Sequence, residues 1–154
     1  MSSVDVRFGP FGDLVLEPPE PLYLPSLDSH LLEQEAYRYT IMLPLRTSDG
    51  REVFSRRDHI LPLTQLMNER FKGSTLTNSI PIPPFIGTWF SEKRGIEIER
   101  SMSILVYSAV SERADKFFSR LKEILRGLTD PPQDEILVER IDAWLLPFPS
   151  AQDR

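Results

Sequence analysis

The chain has no cysteine among its 154 residues. That excludes a disulfide framework, a thiolate metal site and a cysteine nucleophile, and it fits a reducing, cytoplasmic setting. Glycine is scarce, with seven against fourteen prolines, so the connections are stiffened and the share of regular structure is lowered. There is no Walker loop, dinucleotide fingerprint, HExxH helix, GxSxG elbow or paired-histidine motif, which lowers the weight of an enzymatic reading without removing it. Long apolar runs are missing as well. The start, MSSVDVRFGPFG, lacks the basic residues and apolar stretch of a signal peptide, and the chain reads as neither secreted nor membrane-spanning.

What is present suffices for one core. At 40% hydrophobic and 27% charged, a chain of this length builds a single domain more readily than two. Its net charge of -5 is unevenly spread: residues 1–35 carry -6, residues 36–128 carry +5 and residues 129–154 carry -4. A basic middle could bind an anionic partner such as a nucleic acid, or acidic ends could lie back on a basic body.

Residues 1–35 hold Pro10, Pro18, Pro19, Pro21 and Pro25, which predict an extended or polyproline-like arm and no helix. Within it Leu14, Leu16, Leu22, Tyr23, Leu24 and Leu27 are too apolar for a solvated linker, since each gains about 1.5 to 3 kcal/mol on full burial. They need a receiving surface. The expectation is that a partner protein supplies it, and these six residues are the candidate partner-binding set.

From Ala36 the segment YRYTIMLPL alternates, with Tyr37, Tyr39, Ile41 and Leu43 in one set, and predicts a strand ending near Pro44. Asp49-Gly50 marks a turn that could hold a short hairpin extension. Asp58, with Ser55 as an alternative, caps a predicted helix whose inward residues are Ile60, Leu63, Met67 and Phe71 and whose end is Gly73. FIGTWF predicts a second strand and SMSILVYSAV a third. The third has Met102, Ile104 and Val106 on one face and Leu105, Tyr107 and Ala109 on the other. Ser111 then caps a helix with the apolar stripe Ala114, Phe117, Phe118, Leu121, Ile124, Leu125 and Leu128. EILVERIDAWLLP is a last strand whose alternation breaks around Arg140, as a bulge would cause.

Strand, helix, strand, strand, helix, strand is the order of a ferredoxin-like βαββαβ sandwich of the α+β class, with both helices on one face of the sheet. The expected division is an acidic proline-rich arm over 1–35, a ferredoxin-like domain over 36–146 with a complete core of its own, and a tail over 147–154. The segments NERFKGST, Gly87-Thr88-Trp89, Glu99-Arg100-Ser101 and EILVER resemble those of small uncharacterised bacterial proteins of this fold. That resemblance spans roughly residues 36 to 146, leaves the arm outside, and brings no activity with it.

Arg56, Arg57, Asp58 and His59 gather two cations, a carboxylate and an imidazole at a helix start, where an anion could sit and His59 could serve as an acid or base. The plainer reading is that Asp58 caps the helix while the arginines and His59 are solvated. His30 stands alone beside Asp28 and Ser29. Glu92, Glu97 and Glu99 flank Lys93, Arg94 and Arg100, an arrangement more typical of an exposed ladder of charge pairs than of an acid-base or metal cluster. No metal or cofactor is expected. Arg113, Lys116, Arg120, Lys122 and Arg126 make one helix face basic, without the aromatic pattern of an RNA-recognition motif.

Both faces of the third strand are apolar, whereas helices in this fold cover one. The second face therefore needs a cover, which can be the arm, a second copy or another protein. The leading expectation is a non-enzymatic interaction or assembly subunit that docks a partner through its arm and helix-free sheet face. The alternatives are a nucleic-acid-associated protein using the basic middle, and a small enzyme with an anionic-substrate site at Arg56, Arg57 and His59.

Overall fold

The computed structural model describes residues 6–15, 22–24, 34–47, 49–77, 85–91, 95–133 and 135–146, and in them helices pack on an antiparallel sheet. The long central strands are β1 (Gln34–Thr47) and β4 (Gly95–Ser108). Tyr39 lies opposite Val106, Ile41 opposite Ile104 and Leu43 opposite Met102. All six are buried, because the period of two sends them to one face. β2 (Thr75–Thr77) and β3 (Phe85–Ser91) pair with successive stretches of β4, and β5 (Val138–Leu145) pairs with the outer side of β1. The order is β2-β4-β1-β5, with β3 also on β4.

The strands differ from the sequence expectation in several respects. β1 runs past Pro44 to Thr47, and the pairing register shifts between Pro44 and Arg46. A proline has no amide to give the ladder, so the strand bends there without ending. Beyond it the hairpin extension forms: Thr47 N donates to Arg51 O at 2.9 Å, and Gly50 takes the positive φ of 87° that the turn demands. β4 begins at Gly95, ahead of Ser101. β5 has no bulge at Arg140; its register is continuous from Gln34 opposite Leu145 to Ile41 opposite Val138. The broken alternation reflects an outer strand, where neither face must be wholly apolar.

The helices share one face. α3 (Glu112–Gly127) starts as expected at Ser111, whose hydroxyl accepts from Arg113 N at 3.1 Å, and it buries Ala114, Phe117, Phe118, Leu121 and Leu125. Tyr39 stacks on Phe118 at 3.8 Å between ring centres, which joins sheet to helix. α2 (Leu61–Phe71) buries Leu63, Leu66, Met67 and Phe71. Its approach is a wide π turn over Arg56–Ile60, capped by Ser55 and not by Asp58. Pro62 explains the difference: without an N–H it cannot donate to Asp58 O, and the turn before it relaxes to an i to i+5 bond from Ile60 N to Ser55 O at 3.1 Å. At the far end Lys72 adopts φ 62°, one residue before the expected stop at Gly73.

The N-terminal segment departs most from expectation. Val6–Phe11 forms a 3-10 turn and Gly12–Val15 a short helix, α1, where an extended arm was expected. The backbone reverses at Gly9, with φ 49°, and a Cβ there would meet Pro62 at 3.3 Å. Only glycine takes that conformation and contact without strain. Phe8, Phe11, Leu14 and Leu22 are between 0% and 6% exposed and belong to the same core as Met67, Phe118 and Leu121. The core therefore does not begin at residue 36. Among the described residues no helix is long and apolar enough to cross a membrane.

Candidate functional site

At the π turn, Ser55 N donates to His59 Nδ1 at 2.9 Å while Ser55 Oγ accepts from Asp58 N at 2.9 Å. That assigns the ring proton to Nε2. Burial holds the imidazole below its ordinary pKa, against the opposing pull of Asp58 and Glu52. Its ring stands edge-on to Phe54 at 5.3 Å. Arg56 is exposed, and Arg57 turns to Asp58 with Nε 3.2 Å from Oδ1. The turn thus uses Ser55 and His59 to satisfy backbone amides, and its charges pair locally without converging on a common point. The expectation that Asp58 caps the helix is corrected: Ser55, the alternative, caps the π turn, and α2 itself follows from Ile60 with no side-chain cap.

A polar cluster that sequence reading missed joins α3 to the sheet. Tyr39 Oη donates to Asp115 Oδ1 at 2.6 Å, and Arg140 Nη1 donates to Asp115 Oδ2 at 2.7 Å. Arg140 also lies 3.5 Å from Asp142 and stands over the Tyr37 ring at 4.2 Å. Burial, strengthened by the bond to Asp115, drives the Tyr39 phenol far above its usual pKa. Tyr39 is thereby fixed as a neutral donor, and the cluster serves to lock the start of α3 over β1 and β5. Its two bonds to Asp115 span 25 and 76 residues of sequence.

The six proposed arm residues fall into three groups. Leu14 and Leu22 are buried in the chain's own core, so they are corrected from partner-binding to structural positions. The physical reason is a receptor of unexpected kind: Arg70, only 8% exposed, reaches from α2 and donates from Nη2 to Leu14 O at 2.7 Å. Leu22 N donates to Arg70 O at 3.1 Å and Leu22 O accepts from Ala109 N at 3.0 Å. Tyr23 is exposed and lies under Lys72 Nζ at 4.4 Å, while Leu24 is half-buried. Leu16 and Leu27 lie outside the described residues, as do His30, Glu92, Lys93 and Arg94. For Glu97, Glu99 and Arg100 the structure gives strand positions, opposite Trp89, Gly87 and Ile86.

The face of the sheet away from the helices is mixed. One row across it is Tyr107, Arg38 and Ile141, and the next is Leu105, Thr40 and Glu139. Most of these are half-buried, and toward β5 the exposure rises. Leu137, Ile141, Trp144 and Leu146 are 64%, 39%, 63% and 71% exposed, Ile141 on this face and Trp144 on the opposite one, with Arg140 and Asp142. They account for four of the seven exposed large apolar side chains among the described residues, concentrated in ten consecutive positions. The basic face of α3 is less free than its sequence implied, since Lys122 pairs with Glu135 at 2.7 Å and Arg126 with Glu123 at 3.3 Å. No family model, curated protein or solved structure matches this chain.

Proposed function

We propose that this chain is a non-enzymatic docking or assembly subunit of ferredoxin-like βαββαβ type, acting in the cytoplasm, whose docking surface is the helix-free side of the sheet together with β5. The fold reading is supported by the antiparallel order β2-β4-β1-β5, with α2 between β1 and β2 and α3 between β4 and β5. The functional reading rests on one observation: Leu137, Ile141, Trp144 and Leu146 stay exposed on a single outer strand and its flanks while the rest of the core is closed. Such clustering of large apolar side chains marks an association surface more often than chance exposure.

The test is the double variant Leu137→Ser, Trp144→Ser. Its melting temperature is expected to match that of the parent chain, because exposed sites away from structural features change stability little. Chemical cross-linking in extracts of the source cell should lose the cross-linked species that the intact chain forms. A variant that keeps all of them removes the β5 surface as the docking site.

A further inference from the structure

We infer that the occupant of the β5 surface is a second copy of this chain, paired edge to edge so that β5 meets β5 antiparallel about a two-fold axis through Ile141. This deepens the docking reading and rests on it. Among the described residues no strand pairs with the outer edge of β5. Unpaired edges of that kind recruit another strand unless something blocks them.

The sequence VERIDAWL selects the partner and the register. With the axis at Ile141, each residue at a given distance before it meets the residue at the same distance after it, on the same face of the sheet. Arg140 then faces the partner's Asp142, and Asp142 the partner's Arg140. Arg140 and Asp142 already lie 3.5 Å apart within one chain, so the four groups close into a ring of alternating charge. On the same face Val138 meets the partner's Trp144. On the other face Ile141 meets the partner's Ile141 and Leu137 the partner's Leu145. Each of Leu137, Ile141 and Trp144, exposed in one copy, gains an apolar neighbour.

Neighbouring registers either set like charges against each other or leave the Arg140–Asp142 complement unmade. Moving the axis one residue in either direction sets Arg140 against Arg140 or Asp142 against Asp142, and moving it two residues sets Glu139 against itself or Asp142 against Trp144. The charges on this strand could be taken as protection against edge pairing. A run of like charge would repel its own copy in every register, whereas Arg140 and Asp142 flank Ile141 with opposite signs and become complementary in one. The bond from Arg140 to Asp115 at 2.7 Å holds the guanidinium near the edge without using the whole of its donor fork.

Sedimentation analysis of the intact chain over a range of concentrations is expected to show a monomer–dimer equilibrium. Ile141→Lys and Ile141→Glu each oppose like charges at the axis and should each weaken the dimer by roughly a hundredfold. An equimolar mixture of the two should restore a heterodimer, because lysine then faces glutamate. At concentrations where the parent is monomeric, thermal melts of both variants should match it, which separates lost pairing from lost folding. A parent chain that is monomeric up to its solubility limit overturns the self-pairing, as does a mixture that fails to pair. If the parent is monomeric while the double variant of Leu137 and Trp144 still loses its cross-linked species, docking stands and the second copy is the wrong occupant.

Discussion

Phe8, Phe11, Leu14 and Leu22 near one end of the chain and Leu137, Ile141, Trp144 and Leu146 near the other are comparable sets of large apolar side chains, set among acidic residues and prolines. The first set is at most 6% exposed and the second at least 39% exposed. Composition does not separate them; what each finds in the fold does. The N-terminal segment meets the gap between α2 and α3, where Arg70 accepts it by donating to a backbone carbonyl and where Leu22 ties into both Arg70 and Ala109. Among the described residues β5 meets the sheet only along β1, and a strand with one paired edge offers the other to whatever comes next.

Phe11→Ala is the strongest way to break this contrast, with an expected loss of about 3 to 5 kcal/mol. Denaturant melts measure it. An effect no larger than that of Trp144→Ser would show that the N-terminal segment rests on the domain as a detachable arm. By the same reasoning, removal of residues 1–24 should leave a chain that melts without cooperativity, the reverse of what a core complete from Ala36 would give.

A smaller effect is expected from Arg70→Leu, which keeps an apolar stem over Phe117 but withdraws the donor from Leu14 O. A buried carbonyl deprived of its bond costs about 1 to 3 kcal/mol. Limited proteolysis should cut first in the N-terminal segment and leave the β5 end at its parental rate.

The smallest effect concerns pH. The folded-state pKa of His59 lies below the ordinary histidine value of 6.5, chiefly through burial. The unfolded chain therefore takes up the proton first. Stability from this group is complete above about pH 6.5 and declines as pH falls through the window between that value and the lower folded pKa. Protonation also ends acceptance at Nδ1 from Ser55 N. The π turn touches the N-terminal segment at Gly9, where a Cβ would come within 3.7 Å of Asp58 O, so amide exchange on mild acidification should quicken around residues 8–14 before it does in β5. His59→Gln should flatten that pH response, and an equal response in the variant would remove His59 as its source.

The sequence alone determined those elements whose signal is local. Alternation at Tyr39, Ile41 and Leu43, the stripe from Ala114 to Leu125 and the cap at Ser111 were readable because each depends on neighbours one to four residues away. Pro62 already implied a late helix start, but its effect on the preceding turn needed the backbone itself. Only the tertiary structure decided that Leu14 and Leu22 are core, since their receptor Arg70 is 56 residues from Leu14 in sequence and a solvated arginine is the ordinary expectation for that residue type. It also decided that Tyr39, Asp115 and Arg140 form one cluster. The charge pattern around Ile141 was present in the sequence throughout, and it gained meaning when strand order left β5 at the edge, because pairing rules act only on strands that have an edge to share.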